Sequence, residues 1–432
     1  MKNSGISHNI KNIGIISTRI AGTDGVSLEI GKWAHCLERN GFSCFYMAGE
    51  IDRPDDRSFL AGEFHFNHPE IKQIQDEVFG RITRSSRIGG KIHRLRGYMK
   101  GKIKEFVRLY DIDLIIPENV LAIPMNIPLG MGITEFIAET GIPAIAHHHD
   151  FSWERKRFLV SSVQDYLLMA FPPDLPSIRH VVINSQGSVQ LSHRRGISNT
   201  IIPNVYDFAN PPGSPDEYAK KLRDDAYLEE DDIFILQPTR IVARKGIEKA
   251  IEIVAGLDLR NPALVLSHGS GDEGDEYRSK IVQYAQKNNV KLVDIEPVVA
   301  QGRGVNKAGQ RLYTMKDVYQ CTDLITYPSS FEGFGNAFLE AIYYKKPIVV
   351  NRYSIYVTDI EPKGFNVIAM DDIVTEEITD KINVVLQDKG KRAKMTRFNY
   401  KLGKEYFSYE VAEKGLLNLI DTLRGDFSRR SI

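Results

Sequence analysis

An α/β protein of two similar lobes is the fold class the sequence predicts, on three observations. Short apolar runs alternate with amphipathic helical stretches along the chain, the pattern of parallel sheets with crossover helices. The alternation breaks once, at Phe208-Ala-Asn-Pro-Pro-Gly-Ser-Pro215, a stretch of turn formers, and then restarts. A length of 432 residues allows two or three domains, and 42% apolar residues suffice for their cores.

In order, Ile13 to Ser17 reads as the first strand, Val26 to Asn40 as a helix and Phe42 to Met47 as the next strand. Leu114 to Pro117, Ala144 to His147 and His180 to Asn184 continue the first lobe. The second lobe runs through Ile233 to Leu236, Ala263 to Ser267, Lys291 to Asp294, Leu324 to Tyr327 and Pro347 to Val350. We expect a junction near residues 205 to 212. Such lobes bind ligands outside the carboxyl ends of their strands. Residues there are the first candidates: Gly22, Gly25, Glu118, Asn119 and His147 to Asp150 in one lobe, and Arg240, Lys245, Gly269 and the Glu332 loop in the other.

Composition narrows the function classes. Basic and acidic residues are equal in number at 56 each, so no net field favours nucleic acid. Cys36, Cys44 and Cys321 form neither a disulfide framework nor a metal spacing and suit a reduced, cytoplasmic protein. The amino terminus has no apolar signal region and no window has the apolar length of a membrane span. Residues 79 to 104 hold nine cations and no acid, from Arg81 to Lys104. A solvated helix face explains them; an anionic acceptor or a peripheral membrane contact is the sharper reading.

Residues 328 to 350 carry the most chemistry. Glu332 and Glu340 flank Gly333-Phe334-Gly335-Asn336 and the start of a helix. A glycine turn feeding a helix offers backbone N–H groups to an anion, and carboxylates accept from sugar hydroxyls. The combination suits a sugar carried on a phosphate. Gly269-Ser-Gly-Asp-Glu-Gly274 matches G-x-G-x-x-G between a strand and a helix, which would suit a dinucleotide. It follows the second strand of its lobe rather than the first. His147-His-His-Asp150 could suggest a metal, but neighbours on a strand alternate sides and converge poorly.

The Glu332–Glu340 stretch resembles the E-x7-E signature of retaining glycosyltransferases of family four, whose fold is GT-B. Arg240 and Lys245, in Pro-Thr-Arg-Ile-Val-Ala-Arg-Lys-Gly246, are similar to the family's pyrophosphate-binding Arg and Lys. Ile202-Pro-Asn-Val-Tyr-Asp207 resembles its interdomain segment, with Val205 in place of the usual glycine. His149 with Asp150 resembles its acceptor-side His-Asp pair, in a register that the tandem histidines leave open. Gly22-Thr-Asp-Gly-Val-Ser-Leu-Glu29 with His147-His-His-Asp-Phe151 is similar to mannosylglucosylglycerate-type synthases.

The resemblance implies two Rossmann-like lobes facing across a cleft. Residues 1–206, with 405–432 crossing back, would take the acceptor, and 207–404 the nucleotide sugar. It implies transfer of a hexose from a nucleotide diphosphate sugar to a hydroxyl of a small or lipid-linked acceptor, with retention. Arg240, Lys245, Glu332, His149 and Asp150 would do the chemistry. Gly22, Gly25, Gly269, Gly333, Phe334, Gly335, Asn336 and Glu340 would border the donor, and Glu118, Asn119, His148 and Trp153 the acceptor. No cofactor and no metal is expected. The rival readings are an NAD-dependent oxidoreductase using Gly269 to Gly274, and a non-catalytic two-lobe sugar-binding protein.

Overall fold

A computed structural model describes residues 10–22, 24–229, 231–270 and 276–429. The chain divides into two compact units, Met1–Asn204 with Tyr409–Ile432, and Val205–Ser408. Among the described residues, no helix is long and apolar enough to cross a membrane.

The first unit holds a seven-stranded sheet of β1 (Asn12–Ile16), β2 (Ser43–Ala48), β3 (Ser58–Leu60), β4 (Leu114–Pro117), β5 (Ala144–His148), β6 (Ile178–Val182) and β7 (Asn199–Ile201). Their order is β3-β2-β1-β4-β5-β6-β7, and every pairing is parallel. β1, β4 and β5 are buried almost throughout and read as continuous apolar runs, as strands covered on both faces do. The chain winds outward from β1 to β3, then returns to place β4 on the other side of β1. The strand order therefore reverses between β1 and β4, the point at which such sheets bind ligands outside the carboxyl ends.

The terminal helix Tyr409–Arg429 packs in this unit against the helix Gly25–Arg39, with Arg39 Nε 3.4 Å from Glu413 Oε1. Gly415 on the terminal helix packs directly on Ile202, from whose side chain a Cβ there would sit 2.8 Å.

The second unit repeats the plan with β8 (Ile233–Gln237), β9 (Pro262–Leu266), β10 (Lys291–Asp294), β13 (Leu324–Tyr327), β14 (Ile348–Asn351) and β15 (Ile368–Met370). The order is β10-β9-β8-β13-β14-β15, all parallel, and it reverses between β8 and β13. A small antiparallel pair, β11 (Gly304–Val305) and β12 (Arg311–Leu312), is an addition to the plan. Arg303 braces it through Asp216 and Asp317.

Candidate functional site

Two loops meet at the reversal point of the second unit. One follows β8 and carries Arg240, Arg244 and Lys245; the other follows β13 and carries Glu332 to Gly335. Their backbones touch: Ser330 N–H donates to the Arg244 carbonyl at 2.9 Å. Gly246 sits at φ +62°, and a Cβ there would come within 2.5 Å of the Pro328 carbonyl oxygen. Beneath them, Thr326 Oγ1 donates to Gln237 Oε1 at 2.8 Å, a fully buried bond that ties the ends of β8 and β13.

Lys245 and Glu332, each only 8% exposed, pair at 2.5 Å. Arg244 Nη1 lies 3.6 Å from the other Glu332 oxygen. Burial lowers the Lys245 ammonium, the Glu332 charge opposes that, and Arg244 and Arg240 add to the lowering. Arg240 is exposed and has no ion pair among the described residues. His268 completes this group. Burial, then the charges of Lys245 and Arg240, lower its value below that of an ordinary histidine.

The glycine turn has a physical reason. Gly335 sits at φ +124°, and a Cβ would lie 2.2 Å from Tyr353 Oη. That hydroxyl donates to the Phe334 carbonyl at 2.7 Å. Gly335 thereby starts the helix Asn336–Tyr343, whose amino end faces the loop. Glu340, on this helix, accepts from Tyr319 Oη at 2.5 Å. Burial beside Glu340 drives the Tyr319 hydroxyl well above its ordinary value.

Gly269 follows β9, one strand away from the reversal, and its carbonyl accepts from Ile241 N–H at 3.1 Å. The rest of its glycine motif, residues 271–274, lies outside the described residues. Asp294, the acidic partner that a dinucleotide would need, is ion-paired to Arg278.

In the first unit, Glu118 and Asn119 follow β4, and His147 to Asp150 end β5. Gly22, at φ +79°, donates its N–H to Asp52 at 2.8 Å. Gly25 opens a helix capped by Asp24, which accepts from the N–H groups of Val26 and Ser27. Thr23 between them is not described. The neighbouring Asp111-Ile-Asp113 is structural: Asp113 accepts from the N–H groups of Lys11 and Asn12 at 2.9 and 2.8 Å.

The alternation argument for the histidines holds only between neighbours. His147 and His149, two apart, share a side and both reach Glu118, at 2.9 and 2.6 Å. Their donor atoms lie within 4.8 Å of one another. A group this close could hold a metal ion; in this structure Glu118 accepts from both rings instead. His148 points the other way, with Nε2 2.9 Å from His180 Nδ1. Burial takes His148 well below its ordinary value and His180 to about 4. This differs from the expected acceptor role of His148, which is buried on the opposite side of the strand. Glu118 also differs from expectation, because it is 1% exposed and its carboxylate bonds to histidines. Trp153 stacks on Phe151 and donates to Gln190 at 2.6 Å, as part of an apolar cluster with Val182 and Leu191. Asp150 is held by Asn119 at 3.2 Å and by Arg155.

The nine cations of residues 81 to 104 are largely neutralised by neighbouring elements. Arg84 pairs with Asp165, Arg87 with Glu77, Lys91 and Arg94 with Glu70, Arg96 and Lys100 with Glu135, and Lys102 with Glu105. Their acids all lie outside residues 79–104, on other elements or, for Glu105, one residue beyond on the same helix.

Comparison with known proteins places this arrangement. The "Glycosyl transferases group 1" family matches residues 305–402. A mannosylglucosylglycerate synthase of Petrotoga mobilis is 32% identical over 381 residues, covering 83% of this chain and 86% of its own. The Thermotoga maritima enzyme of the same name is 29% identical over 436 residues, with 93% and 97% covered. Among solved structures, a Rickettsia africae glycosyltransferase aligns with TM-score 0.68 at 13% identity, covering 96% of this chain and 99% of its own. Sucrose-phosphate synthase of Thermosynechococcus elongatus aligns with TM-score 0.66 at 14% identity, covering 96% and 100%. Anabaena HepE, solved with UDP and glucose, aligns with TM-score 0.61 at 15% identity, covering 95% and 100%. The fold is GT-B, built of two Rossmann-like units. The chain belongs to the group 1 glycosyltransferases, the family of the mannosylglucosylglycerate synthases, and is a nucleotide-sugar-dependent glycosyltransferase.

Proposed function

We propose that the chain transfers a hexose with retention of anomeric configuration, and that the β8 and β13 loops hold the donor. The observation that carries this is the buried Lys245–Glu332 pair beside the Gly335 turn, at the point where the strand order reverses. Lys245 and Arg240 would meet the charge that grows on the departing diphosphate, which is stabilisation by groups already in place. Glu332 would accept from donor-sugar hydroxyls and Glu340 from the ribose. Fixed cations would serve in place of a metal, so activity would survive exhaustive chelation.

His149 and Asp150 would contact the sugars being joined. The relatives' name supports a mannosyl donor and a glucosylglycerate-type acceptor, whose glycerate carries a carboxylate. With most of the basic helix paired, we assign that carboxylate to Arg157. This guanidinium stacks on Phe158 at 4.4 Å and has no carboxylate partner among the described residues. The test is transfer from GDP-, UDP- and ADP-hexoses to glucosylglycerate, with the product linkage read by NMR. An α-glycoside from an α-linked donor is the expected product; a β-glycoside would remove retention, and no product from any donor would remove the reading.

A further inference from the structure

Glu118 and Asn119 form a two-residue clamp on the end of β5. The Glu118 backbone is fixed on both sides: its N–H donates to Ile16 O at 2.8 Å, and its carbonyl accepts from Ser17 Oγ at 3.1 Å. Its carboxylate takes His149 Nε2 at 2.6 Å. Asn119, held at φ +56°, donates its N–H to His147 O at 2.8 Å, accepts from His149 N–H at 3.1 Å and donates to Asp150 at 3.2 Å. The clamp therefore grips the ring and the backbone of His149 as well as the side chain of Asp150.

His147 is the wedge behind it. Its ring stacks on Trp33 at 3.9 Å between centroids and bonds to the same carboxylate. Its Nε2 is buried without a partner, as is Nδ1 of His148. His149 is the histidine of the three that keeps side-chain exposure, at 11%.

We propose that Glu118 is a positioning residue: by accepting from His149 Nε2 it fixes the ring so that Nδ1 presents an N–H to an oxygen of the substrate. This rests on the reading of His149 as a substrate contact. The charge pattern agrees with it. Burial alone would lower His149, but Glu118, then Glu29 on the helix Gly25–Arg39 and Asp150, raise it above the ordinary histidine value. His147 faces the same carboxylate, but burial is the largest influence on it and lowers it. A ring protonated on both nitrogens donates at Nδ1 without needing one tautomer.

The test compares Glu118→Gln, His149→Ala and the double variant. Glu118→Gln should lower kcat/KM by about tenfold or more, as for one oriented charge-assisted hydrogen bond. It should also move the alkaline limb of the pH–rate profile down by about one unit or more, because an opposite charge has gone. The double variant should be no slower than His149→Ala. Glu118→Asp, which keeps the charge on a shorter stem, should keep the position of the limb and recover only part of the rate. Wild-type kinetics in His149→Ala would remove the contact reading itself. An impaired His149→Ala beside a Glu118→Gln of normal rate and profile would overturn the positioning role. Should Glu118→Gln fail to fold, nitrogen NMR of the wild-type His149 ring decides. A ring protonated on both nitrogens above the ordinary titration range supports the proposal, and an ordinary titration overturns it.

Discussion

Lys245→Met would leave Glu332 buried with its charge uncompensated. The two groups are each 8% exposed and bonded at 2.5 Å, and breaking a buried pair from one side costs about 3–5 kcal/mol. Arg244, 3.6 Å from the second Glu332 oxygen, relieves part of this, so the lower end, about 3 kcal/mol, is expected. In a unit of roughly 200 residues that corresponds to a Tm drop of roughly 6–12 °C. Adding Glu332→Gln removes the second charge and should return most of that loss, leaving a buried amide against a thioether. Transfer should not return, since both the diphosphate cation and the hydroxyl acceptor are then gone. Thermal melts followed by steady-state kinetics on the single and double variants separate the two effects. If the double variant recovered transfer along with stability, the pair would be structural only, and the donor assignment would fall.

Gly335→Ala should cost about 1–3 kcal/mol from its positive φ alone, with a further loss from the Tyr353 hydroxyl; adding Tyr353→Phe should recover the second part only, read by melts and by donor KM. Arg87→Ala and Arg94→Ala should leave the acceptor KM unchanged, because both cations already pair with acids, whereas Arg157→Ala should raise it several-fold, an effect that weakens with salt. Acid stability should depend on Glu118. Burial would raise its carboxyl, but the histidines hold it at about 2 against an ordinary 4.5. A depressed carboxylate stabilises the fold above its unfolded value, and the contribution disappears as pH falls from about 4.5 towards 2. At 1.36 kcal/mol per pH unit this is about 3 kcal/mol. Denaturant melts of Glu118→Gln should show a correspondingly flatter acid limb than the wild type, and equal limbs would refute the linkage.

The central strands were legible because burial on both faces makes them apolar runs: Leu114–Pro117 and Leu324–Tyr327 fall where the sequence places them. The short strands β3, β7 and β15 gave no such run. Each has three residues and lies at the edge of its sheet, so pairing rather than composition defines it. The Gly335 turn was legible because a glycine was the only residue its geometry admits. His268, Gln237 and Trp33 were not, because nothing in a linear pattern says which single polar or aromatic residue two distant strands bring to one place. Glu118 was seen but misjudged. Its position after a strand marked the site, while its burial beneath two histidines is a fact of packing across β4 and β5. The acids that pair most of the cationic helix could not be read beside it, since all but Glu105 come from other segments.

Hydrogen exchange on adding a nucleoside diphosphate tests most directly whether the β8 and β13 loops hold the donor. With UDP or GDP, whichever the enzyme uses, backbone exchange should slow in peptides covering 240–246 and 332–340. Slowing confined to residues outside these loops, or no slowing with any nucleotide, would contradict the account.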